Sequence, residues 1–132
     1  MNRVLKVIVV VALSQICLIS SASQRPEYVI KMINSMIALV NTTYTSAGID
    51  RFIETHSARN KFFKKCLIGA IDFRNNYHPH AARDHLLTIE NLKDIRTDYL
   101  DNVDTAKPID VLEDAIFRLL LYQKYLQNQR NR

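Results

Sequence analysis

The densest set of side chains able to bind a metal or move a proton is NNYHPHAARDH, Asn75 to His85. It holds three of the chain's four histidines and an aspartate. If Pro79 is the first helical residue, His78 is its N-cap, and His80 and Asp84 stand four apart on one helix face. An imidazole and a carboxylate at that spacing can share a divalent cation, with His78 as a third donor. His85 is turned ~100° away from Asp84. Structural zinc takes four ligands, often including cysteine, and nothing else converges here. The stretch is therefore expected to start a helix, with Asn76 or His78 as cap. His78, His80 and Asp84 stay weak metal candidates, and no cofactor is expected.

Nucleophilic chemistry would rest on Cys66, which follows Lys64 and Lys65. Two lysines can lower a thiol pKa, and His56 or His85 is the base that such a site would use. But Cys66 shares a helical apolar stripe with Leu67, the setting of a buried, inert free thiol. Glycine-rich phosphate loops and the nucleophile-elbow pattern are absent, and the whole sequence has two glycines. The expectation is that this is not an enzyme. Asn41-Thr42-Thr43 is an N-glycosylation sequon, provided that the chain is secreted.

The N-terminus points to secretion. Arg3 and Lys6 precede an apolar run, Val7 to Ile19, and small residues follow at Ser20 to Ser23. That order is the plan of a signal peptide cleaved before Gln24, and the run is too short to span a bilayer. Removal of residues 1–23 leaves one domain, residues 24–132, with no further membrane insertion expected. The leader carries two of the positive charges and no negative one, so the net charge falls from +5 to +3. Basic residues are largely interleaved with acidic ones, which argues against a nucleic-acid partner. Cys17 leaves with the leader, so Cys66 can form no disulfide within the mature chain. Stability must come from the core or from self-association, a homodimer being the simplest form. A domain without disulfides also suits work in the reducing cytosol of another cell.

Apolar periodicity predicts an all-α bundle of about four to five helices. Val29, Ile33, Met36 and Val40 mark the first, opened by Pro26, widened by Ile30, Ile37 and Tyr44, and stopped near Gly48. Asp50 is the expected cap of the second segment, with a fresh cap at Ser57 dividing it. Phe63, Cys66, Leu67, Ala70 and Ile71 form its face, and Gly69 marks close helix approach. Pro79 starts the third, whose face is Ala82, Leu86, Ile89, Leu92, Ile95 and Tyr99. Pro108 or Asp110 starts the last, with Leu112, Ile116, Leu119, Leu120, Gln123 and Leu126 inward. Phe117, Leu121 and Tyr125 lie four apart on a second side of that helix. A helix apolar on two sides is either central in a bundle or docks a partner. With Arg118 and Lys124 at its rim, this side is the candidate partner-binding surface.

A cleavable leader, a short helical domain and the lack of disulfides resemble, at the level of plan, the small salivary effectors of sap-feeding insects such as aphids. That resemblance implies a secreted, non-enzymatic protein that enters host cells and binds a host protein. The alternative expectation is a helical carrier of a small hydrophobic ligand. Insect chemosensory carriers, however, have several cysteines where this mature chain has Cys66 alone.

Overall fold

The computed structural model describes residues 25–76 and 84–130, which form five helices and, among the described residues, no strand. They are α1 (Pro26–Thr42), α2 (Ser46–Arg59), α3 (Lys61–Asn75), α4 (His85–Asp101) and α5 (Pro108–Arg130). The leader, the expected helix start at Pro79 and the metal candidates His78 and His80 lie outside the described residues.

Local chemistry sets the boundaries. Pro26 occupies the first turn of α1, where its missing N–H costs nothing, and Glu27 sits at the positive end of the helix dipole. The predicted stripe of Val29, Ile33, Met36 and Val40 is fully buried. α1 ends at Thr42, not near Gly48, because Thr45 caps the next helix: its Oγ1 accepts the Gly48 amide at 3.2 Å. Gly48 thus lies in the first turn of α2, and a Cβ there would strike the Thr43 methyl. Tyr44, expected on the α1 stripe, falls in the turn and is exposed.

Asn60, not Ser57, divides α2 from α3. Its amide donates to the His56 carbonyl and its Oδ1 accepts the Phe63 amide, each at 3.0 Å. Asp84 opens α4 in the same way, its Oδ1 accepting the Leu87 amide at 2.8 Å. α4 is rotated from its predicted face. Thr88 is buried and donates its hydroxyl to the Asp84 carbonyl at 3.2 Å, whereas Leu86 is left 67% exposed. Ile89, Leu92 and Tyr99 are buried as expected.

Pairings between helices give the direction of each. Cys66 meets the Ile109 carbonyl, Gly69 meets Glu113 and Phe73 stacks on Phe117, so α3 and α5 run parallel at a nearly constant offset. A Cβ on Gly69 would collide with the Glu113 carboxylate, which is why α3 can approach α5 so closely. Asn34 accepts from Arg96 at 2.6 Å and Tyr44 meets the His85 ring, so α1 and α4 are antiparallel. Gln123, 5% exposed, ties α5 to the start of α2 by donating to the Ser46 carbonyl and to Asp50 Oδ1. The chain therefore runs up and down five times. α1 and α4 pack together, α2 and α3 pack together, and α5 passes between the pairs and touches all four helices.

Candidate functional site

The side of α5 expected to bind a partner is mostly core. Phe117 and Leu121 are 2% and 3% exposed, because α5 is the central helix and needs apolar side chains on two sides. Tyr125 is half-buried and stacks on Tyr122. Arg118 lies over the Phe117 ring at 5.7 Å and pairs with Asp114 at 3.4 Å, and Lys124 alone of the five is exposed. Met32 and Met36 on α1 are also core.

Of the three metal candidates only Asp84 is described, and it is an N-cap with extended backbone, not a residue within a helix. Its side chain and its carbonyl both accept hydrogen bonds from the start of α4. Among the described residues no cluster of three metal-ligating side chains occurs.

Cys66 is a free thiol, fully buried, and its Sγ faces the Ile109 carbonyl at 3.9 Å. Burial, with Glu113 and Asp110 nearby outweighing Lys65, pushes the thiol up to about 12. The lysines do not activate it, since their side chains are in water while the sulfur is in the core. His56 packs on Phe52 and Phe63, and His85 on Tyr44, and no hydrogen bond among the described residues joins either histidine to Cys66. A thiol reagent at pH 8 should label the native protein far more slowly than the urea-unfolded chain. Native labelling as fast as that of a free small thiol would show that this pocket opens.

An open groove of about 580 Å³ lies beside the α1–α2 turn, lined by Thr42, Thr43, Thr45, Arg51, Phe52 and His56 among others. Its hydroxyl-rich lining and open mouth do not make the enclosed apolar cavity that carriage of a hydrophobic ligand needs.

A different surface breaks the rules of local stability. Between Glu54 and Asp72 there is no acidic residue, while Arg59, Lys61, Lys64 and Lys65 all fall in that stretch and are all exposed. The three lysines crowd the first two turns of α3, whose positive dipole end prefers anions, and the first turn holds no acidic residue. Lys61 and Lys65 are also four apart, a like-charge pair. None of these four cations has an ion pair among the described residues. Burial, then Arg59 of this cluster and Lys31 of α1, hold the His56 pKa below its ordinary value. One turn beyond Lys64, on the same side, Ile68 is 60% exposed. α4 has the opposite character, with Glu90, Asp94, Asp98 and Asp101 exposed. The signal for this surface was in the sequence: a long acid-free window containing four cations. It was hidden by counting charge over the whole chain, where the signs nearly balance.

The chain matches no protein-family model, no curated protein and no solved structure. Among the described residues no helix is long and apolar enough to cross a membrane.

Proposed function

We propose that this is a secreted, non-enzymatic binding protein that engages an acidic surface of a partner protein through the outer side of α3, and that the partner is a protein of a host cell's cytosol. The observation that carries the reading is the unpaired cluster of Arg59, Lys61, Lys64 and Lys65 around exposed Ile68. Lys61, in the first turn, is unfavourable by roughly 0.3–1 kcal/mol at low salt, and no ion pair among the described residues offsets it. An acidic partner would offset it, and Ile68 supplies an apolar centre within the charged rim.

The test is capture of a partner from a reducing host extract by residues 24–132, followed by binding measurements on the isolated pair. Lys64→Glu/Lys65→Glu/Ile68→Asp should weaken binding at least tenfold while helicity by circular dichroism stays unchanged. Raising the salt should weaken the parent complex, because exposed charges are screened. Asp94→Lys/Asp98→Lys on α4 should bind as the parent does. If the α4 variant loses binding and the α3 variant keeps it, the surface assignment fails.

A further inference from the structure

We propose that Asn41 carries an N-linked glycan, and that the glycan stands on the α1–α4 seam at the end of the bundle remote from the α3 lysines. The inference rests on the secreted reading, because the glycan is added only to chains that enter the secretory route. The sequon alone leaves Asn41 inside an apolar helix, next to Val40, where a glycan would be buried. The geometry removes that objection. Val40 is fully buried, but Asn41 lies a further ~100° round the helix and is exposed. Its side-chain amide has no hydrogen-bond partner among the described residues, so nothing in the fold is broken by derivatising it. The helix ends at Thr42, and Thr43, the hydroxyl residue of the sequon, has extended backbone (φ −117, ψ 127). The acceptor is therefore at a helix end with its chain already leaving the helix.

The position on the bundle follows from spacing. Asn34 faces Arg96 on α4, and Asn41 is seven residues on, two turns along nearly the same face. That places it toward the end where Tyr44 meets His85 and where Leu86 is 67% exposed. The lysines of α3 lie at the other end, near the start of α1, where Tyr28 packs on Phe62. A bulky, solubilising sugar at Asn41 would screen the end that carries exposed apolar side chains and leave the basic surface open.

The experiment expresses the full chain in eukaryotic secretory cells, with the parent, Asn41→Gln, Thr43→Ala, Thr43→Ser and Thr42→Ala compared in the medium. Enzymatic removal of N-glycans should increase the gel mobility of the parent, Thr42→Ala and Thr43→Ser, and should leave aspartate at position 41 by peptide mass spectrometry. Asn41→Gln and Thr43→Ala should show no mobility change. Thr43→Ser keeps the sequon, so it separates loss of the glycan from loss of folding at position 43. A secreted parent with unmodified Asn41 overturns this inference and leaves secretion standing. A chain retained in the cytosol with its leader intact overturns both. A glycan that lowers binding through the α3 lysines, relative to the Asn41→Gln protein, overturns the placement on the remote end.

Discussion

Leu121→Asp is expected to unfold this protein. The side chain is 3% exposed on the central helix, beside Leu120 and Tyr122. Loss of a buried leucine's packing costs about 2–5 kcal/mol. An unpaired buried charge adds about 3–5 kcal/mol, or the group protonates at a similar cost. A domain of this size has roughly 5–15 kcal/mol of stability in total. The variant should therefore lose most of its helical circular dichroism and its cooperative thermal transition at neutral pH. Leu121→Met, which conserves volume, should fold with a loss under ~1.5 kcal/mol. A soluble, cooperatively melting Leu121→Asp protein would mean that this side of α5 faces solvent, and the bundle drawn here would be wrong.

The second large effect is loss of stability in alkali. Burial raises the Cys66 thiol from 9.0 to about 12, and burial together with the nearby Cys66 raises the Tyr28 hydroxyl from 10.0 to about 12. Tyr99 and Tyr122 move in the same direction, chiefly through burial. For each of these acids the folded state holds its proton longer than the unfolded state does. The stabilisation is fully present below the unfolded pKa and is lost as pH rises from there through the folded value. The window opens at pH 9 for Cys66 and at pH 10 for Tyr28 and closes near pH 12, and within its own window each of these two groups contributes a fall of up to about 1.4 kcal/mol per pH unit. The urea midpoint should drop progressively across that range, and Cys66→Ala/Tyr28→Phe should flatten the slope. On the acid side the sign comes from His56, whose pKa is lowered by burial and then by Arg59 and Lys31. Its contribution is present above 6.5 and is lost as pH falls through the lowered folded value. Stability should thus be greatest between about pH 6.5 and 9. A midpoint that stays constant from pH 9 to 11 would contradict the burial of both Cys66 and Tyr28.

Much of the fold is legible where one apolar stripe faces one core. Val29, Ile33, Met36 and Val40 read directly as the inner side of α1, and Cys66 with Ala70 as that of α3. Pro108 marks the start of α5 because a proline fits a first turn better than any other helical position. The errors have two physical sources. First, this chain is rich in residues able to cap, and only competition among them decides which is used. Thr45 outcompetes Asp50, Asn60 replaces Ser57, and Asp84 opens α4. Second, periodicity shows that a side is apolar but not whether another helix covers it. The second apolar side of α5 reads as a central core side or as a docking surface until its four neighbours are in place. The basic surface was missed for a different reason. Lys61, Lys64, Lys65 and Ile68 share one face of α3, but a charge count over the whole chain averages that cluster away.

The central position of the last helix has a consequence for how the chain is made. Synthesis delivers α1 to α4 first, yet their two pairs meet chiefly through α5, and the Cys66, Phe73 and Gln123 pairings all join it to residues more than 40 positions earlier. A nascent chain that has not yet released Leu112 to Gln123 has no site where both halves of the core can close. It should stay unfolded, and so remain threadable through a narrow protein-conducting channel, until α5 has been made. Folding then follows as a single late event. Without cross-links to lock the product, a later return to the threadable state would require only the energy of unfolding.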